Sequence, residues 1–191
     1  LLMFKEFFIG RQLRPHLTTH AVTHSLSAAL LGGSVGLLDT QAHVAHDPRA
    51  LVVLLFNWCL FNLFEFARKT WAPSEERPHV ESYSLNFGVP GAVMLSLSQI
   101  AGGLVLIALH PDARFGWPAI AHLVLAGTVL AVGIALIAQK TPRTASAFRA
   151  VVSLYLVLFY ATLAADHAPR AFDAKEDHAR SAQLDVCLRS A

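Results

Sequence analysis

The sequence predicts an all-α fold, a polytopic bundle of about five transmembrane helices, and three observations carry that prediction. Of 191 residues, 54% are hydrophobic and only 15% charged, and the mean hydropathy is +0.49. A soluble domain carries about 25% charged residues to keep its surface wet. The charges are also bunched, leaving apolar stretches of about 20 residues between them, the length that crosses a hydrocarbon core of about 30 Å. Finally, no alternating apolar–polar pattern of the barrel type competes, and backbone groups in lipid have to be satisfied within a helix.

The spans are expected at about 17–38, 50–67, 89–109, 118–138 and 147–165. The first is the least apolar, with His20, Thr23, His24, Ser25 and Ser27 inside it. Pro90 and Pro118 fall near helix starts, where a missing N–H costs nothing. Glycines concentrate within the spans, at Gly32, Gly33, Gly36, Gly102, Gly103, Gly127 and Gly133, and small residues let membrane helices approach closely. Residues 1–166 therefore read as one helical bundle. Residues 167–191 mix both charge signs without apolar periodicity and read as a polar, disordered tail.

Basic residues set the orientation. Lys5, Arg11 and Arg14 precede the first span, Arg68, Lys69 and Arg77 fill the second connection, and Lys140, Arg143 and Arg149 fill the fourth. The first and third connections hold only Arg49 and Arg114. This alternation places the second and fourth connections on the cytoplasmic side, and a bacterial inner membrane is the expected location. The early charges Lys5, Glu6, Arg11 and Arg14 do not suit a cleavable signal peptide. An opening Leu-Leu is what a fragment or processed chain would show.

Several function classes drop out. A net charge of +2, with no basic face, does not suit nucleic acid. Cys59 and Cys187 form no zinc or redox spacing. Nucleophile elbows, phosphate loops, dinucleotide fingerprints and His-Glu-x-x-His are all absent from the sequence.

The stretch with chemistry in it runs from Asn57 to Gly88, NWCLFNLFEFARKTWAPSEERPHVESYSLNFG. Asn62, Glu65 and Lys69 share a helical face at the end of the second span, with Arg68 adjacent. Ionisable groups there are costly in lipid and usually face a bundle interior or a polar hollow. Glu75, Glu76 and Glu81 follow, interleaved with Arg77 and His79. Such carboxylates suit a hard divalent cation that also takes phosphate oxygens, and Arg68 and Lys69 suit the anion it would bridge. A solvated turn whose basic residues only set topology is the plainer alternative; Asn62 and Glu65, inside the apolar register, weigh against it.

These residues resemble the second acidic motif of the UbiA superfamily, the intramembrane prenyltransferases. The matching parts are Glu65, the pair Glu75 and Glu76, ESYS at Glu81 to Ser84, and LNFG ending at Gly88. The FEFARK arrangement looks like a bacterial branch with Glu in place of Asp. The likeness spans roughly Met3 to His167 if the five spans are the last five of the family's usual nine.

The resemblance implies a Mg²⁺-dependent transfer of a prenyl group from its diphosphate to an aromatic or hydroxyl acceptor, in a cavity open to lipid. It implies Glu65, Glu75 and Glu76 as metal carboxylates. Asn62, Arg68 and Lys69 would lie on the diphosphate side, and Tyr83 and Ser84 at the re-entry into the third helix. Glu65, Arg68 and Lys69 would be the catalytic set. Two departures stand out: His79 replaces a common glycine, and no Asn-Asp-x-x-Asp sequence of the first acidic motif occurs in the chain. The missing carboxylates would come from an absent N-terminal half or a partner chain, or the protein is a non-catalytic relative.

Two other classes stay open. His16, His20 and His24 recur every four residues and stack on one face, a spacing that serves a transition metal or haem, interhelical hydrogen bonds, or a substrate cavity. A transport or scaffold subunit would instead use Ser96, Ser98 and Gln99 along a path, although residues of this kind more often knit helices together. Tyr155, Phe159 and Tyr160 read as helix packing or as an aromatic wall for a cation.

Overall fold

The structure, a computed structural model, describes residues 17–40, 48–109 and 117–162. The polar tail, His16, Cys187 and the expected first segment lie outside the described residues. Five helices follow in order: α1 (Leu17–Thr40), α2 (Pro48–Arg68), α3 (Tyr83–Leu109), α4 (Trp117–Gln139) and α5 (Pro142–Thr162). Four of them, α2 to α5, are long and apolar enough to cross a membrane. The chain is thus an integral membrane protein, and the regular structure among its described residues is all helical. α1 is the helix with the polar insertions, 24 residues long.

Local chemistry fixes the turn between α4 and α5. Lys140 takes a left-handed conformation, φ 51°, and its N–H reaches the Leu136 carbonyl at 2.9 Å. This closes the C-terminus of α4 in the way glycine usually does. Thr141 then caps α5: the Thr144 N–H donates to its Oγ1, and the Thr141 N–H to Thr144 Oγ1, both at 3.3 Å. Pro142 follows at the first helical position, where proline is favoured. The fifth span consequently begins five residues before the expected 147, because capping, not hydropathy, decides where the helix starts.

α3 is interrupted. Gly88 adopts φ 69° and ψ 164°, a conformation open essentially to glycine alone, and Pro90 follows. A turn over 83–87 therefore precedes the long membrane segment that begins at Val89, the expected start of the third span.

The core lies between α2, α3, α4 and α5. Phe56, Leu60, Leu63, Val93, Leu136, Phe148, Val152 and Phe159 are buried together, with Phe56 and Phe159 rings 4.6 Å apart. Gly133 lets α4 meet its neighbours: a Cβ there would sit 2.9 Å from Val93 Cγ1 and 3.4 Å from Phe148. Tyr155 and Phe159 are core residues, so packing is their role. Tyr160 instead donates its hydroxyl to Asn57 Oδ1 at 2.9 Å. Ser96 and Ser98 do not join helices. Their hydroxyls return to their own backbone, at the Ala92 and Leu95 carbonyls, the local bond that serine finds most easily in a helix.

Hydrogen bonds as well as packing join α1 to α2. Trp58 Nε1 donates to the Val22 carbonyl at 3.0 Å and to Ser25 Oγ at 3.1 Å. Ser25 Oγ in turn donates to Asn62 Oδ1. Asn62 is 4% exposed, so without Ser25 its carbonyl would be a buried acceptor lacking this donor.

Candidate functional site at the end of α2

The last turn of α2 carries Glu65, Arg68 and, just beyond it, Lys69. Helical spacing brings all three together. Arg68 Nε and Nη2 both donate to the Glu65 carboxylate, the second at 2.9 Å. Lys69 Nζ lies 3.4 Å from Glu65 Oε1. One carboxylate thus holds two cations side by side, which keeps them ordered at a boundary where lone charges are costly.

This cluster forms the polar end of a half-open groove of about 340 Å³ between α1 and α2. From α1 come His20, His24 and Ser25; Ala21, Ala28, Phe61 and Phe64 make the apolar wall. Phe61 and Phe64 are 39% and 41% exposed, on a helix of membrane-crossing character, so the apolar side of the groove opens where lipid would be. His20 and His24 stack with ring centroids 5.8 Å apart. Such a groove accommodates an amphiphile: an anionic head among Arg68, Lys69 and the imidazoles, an apolar chain along the phenylalanines.

The loop beyond α2 is compact. The Tyr83 N–H donates to the Lys69 carbonyl at 3.0 Å, so the loop leaves and returns at one point. Trp71 Nε1 donates to the Arg68 carbonyl at 3.1 Å, and the Arg77 guanidinium lies 5.9 Å from the centre of the Trp71 ring. Ser82 caps α3, accepting the Leu85 N–H at 2.9 Å.

The expected trio of metal carboxylates is not gathered. Glu65 faces the groove. Glu75 pairs with Arg149 of α5 at 2.8 and 3.2 Å and accepts the Ala72 N–H at 2.9 Å. Glu76 accepts the Ser82 hydroxyl at 2.7 and 2.8 Å. Among the described residues no three His, Cys, Asp or Glu side chains are placed to hold one metal ion. Arg149 of α5 and the Ala72 N–H claim Glu75, and Ser82 claims Glu76; of the three, Glu65, paired with Arg68 and Lys69, is the carboxylate at the groove that could meet a cation also taking phosphate oxygens. The Arg149 hydrogen bonds hold the Glu75 carboxyl below its usual range; the Ala72 N–H and the charges of Arg149 and Arg77 add to this.

Asn62, Tyr83 and Ser84, expected on the substrate side, are buried and are not part of the groove wall. Asn62 serves the α1–α2 contact. Tyr83 packs edge-on to Phe66, centroids 5.0 Å apart. Ser84 Oγ accepts the Trp71 N–H at 2.8 Å. Arg68 and Lys69 stay at the groove. His20 and His24 join them there, visible in sequence only as a four-residue repeat. Arg149 was legible only as a topology charge.

Compared with known protein families, curated proteins and solved structures, the chain matches none.

Proposed function

We propose that this protein binds a prenyl diphosphate at the inner face of a bacterial membrane and serves prenyl transfer to an aromatic or hydroxyl acceptor. One observation carries the reading: Glu65 holds Arg68 and Lys69 together at the polar end of a groove that Ala21, Ala28, Phe61 and Phe64 also line. A phosphate ester with a hydrocarbon tail has the same division. The resemblance of this segment to the second UbiA motif supports the reading.

In the reaction, Arg68 and Lys69 neutralise the leaving diphosphate as charge develops on it, the kind of preorganised electrostatic help that transfer chemistry uses most. Mg²⁺, bound through Glu65 and phosphate oxygens, would add to that neutralisation. A second set of carboxylates, the Asn-Asp-x-x-Asp type that the chain does not contain, would come from another segment or a partner chain. Prenyl transfer by the chain alone is not part of the proposal. The positive-inside pattern supports a cytoplasmic position for the groove's polar end.

The test is binding of farnesyl diphosphate to the detergent-solubilised chain with and without Mg²⁺. Glu65→Gln should lower the Mg²⁺-dependent affinity at least about tenfold, the worth of one charged contact. Equal affinity in the wild type and in Glu65→Gln would remove the assignment.

A further inference from the structure

The groove has two polar walls, and only the one on α2 belongs to the acidic motif. Arg68 and Lys69 supply the cations there, tied to Glu65. Facing into the same hollow from α1 are His20 and His24, one helical turn apart, with rings 5.8 Å between centroids and 19° from parallel. A pair of cations fixed by one carboxylate covers one end of an elongated anion. A diphosphate has a second phosphate, and its oxygens need donors of their own, because desolvating them without hydrogen bonds is costly.

The frame that carries the histidines is fixed. Ser25 and Val22, on either side of His24, bond to Asn62 and Trp58 of α2. The distance between the two walls is therefore set by part-buried hydrogen bonds between the helices and not by side-chain drift. An imidazole N–H is a donor that suits a phosphate oxygen.

We infer that His20 and His24 are specificity-determining residues that bind the second phosphate of a diphosphate whose other phosphate lies on Arg68 and Lys69. The inference rests on the prenyl diphosphate reading above and adds which part of the head group each wall takes. It makes the groove a diphosphate site and not a general phosphate site.

The experiment compares farnesyl diphosphate with farnesyl monophosphate on the full solubilised chain. The wild type should prefer the diphosphate. His20→Leu/His24→Leu should weaken diphosphate binding about tenfold while changing monophosphate binding by less than about twofold, as expected from losing charged contacts on one phosphate only. His20→Gln/His24→Gln, which restores an N–H donor on each side chain, should recover part of the preference. His24 is exposed, so His24→Leu alone supplies the same comparison if the double variant does not fold.

An unchanged diphosphate-to-monophosphate ratio in the leucine variants, with Arg68→Gln/Lys69→Gln still abolishing binding, overturns the role of the histidines and leaves the functional reading standing. Binding of neither lipid by folded wild type overturns both.

Discussion

Arg149, two turns into α5, grips Glu75 of the α2–α3 loop through its two terminal guanidinium nitrogens, Nη2 at 2.8 Å and Nη1 at 3.2 Å, across 74 positions of sequence. The same Nη1 donates to the Thr70 carbonyl at 3.1 Å. One side chain therefore joins the loop behind the groove to the helix that closes the bundle. It also sets the α2–α3 loop and the α4–α5 turn at the same end of the molecule. Because the Trp71, Lys69 and Ser84 backbone and side-chain bonds hold the loop onto the last turn of α2, Arg149 steadies the Glu65 cluster at one remove.

Arg149→Gln should loosen the loop without unfolding the bundle. Both partners are about a quarter exposed, so the paired contact is worth less than a sealed one, about 1–2 kcal/mol. Hydrogen exchange should rise over residues 70–82 while the cores of α3 and α4 keep their protection. Unchanged exchange in the loop would show that its own bonds suffice.

The same contact makes the loop acid-sensitive. Arg149 holds the folded-state carboxyl of Glu75 below its usual value. A depressed folded value means that this stability is fully present above the unfolded value. It is lost as pH falls from there through the folded one. Thermal midpoints of wild type and Arg149→Gln should differ at neutral pH and converge as the pH drops below about 4.3, the ordinary range for a glutamate. A difference that widened in acid would contradict the pairing.

How far the sequence carries depends on the range of the interaction. Composition and span length suffice for the helices, since lipid demands long apolar runs. Helical spacing suffices for Glu65, Arg68 and Lys69, three residues on one turn. Glu75 and Glu76 look equivalent in sequence, yet one is held by α5 and the other by Ser82; such partnerships across the chain leave no periodic trace. His20 and His24 were visible as a repeat, but which helix they would face depends on the Ser25–Asn62 and Trp58–Val22 bonds. Tyr83 and Ser84 lie next to the motif in sequence and beneath it in space.

Gly88 is the position where backbone geometry should tolerate least. At φ 69° and ψ 164° a side chain is strained even though a Cβ would find its nearest neighbour, Pro90 Cδ, at an ordinary 3.7 Å. The cost of Gly88→Ala is therefore conformational and not steric, about 1–3 kcal/mol. A lower thermal midpoint is expected, with reduced yield of monodisperse protein. Gly127→Ala, where the added Cβ meets nothing within 4 Å, should be neutral and serves as the control.

Tyr83 separates burial from binding. Its side chain is fully buried, and its hydroxyl has no hydrogen-bond partner among the described residues, although it sits within electrostatic range of Glu65 and Arg68. A buried hydroxyl left unpaired costs free energy that phenylalanine does not, and the ring contact with Phe66 survives the change. Tyr83→Phe should therefore be neutral or stabilising by up to about 1 kcal/mol and should leave farnesyl diphosphate affinity unchanged, because the hydroxyl is sealed from the groove. Ser84→Ala, beside it, removes the acceptor of the Trp71 N–H and should cost about 1–2 kcal/mol. Weaker diphosphate binding in Tyr83→Phe at unchanged stability would mean that the hydroxyl reaches the ligand after all, by a movement of the α3 turn ahead of Gly88.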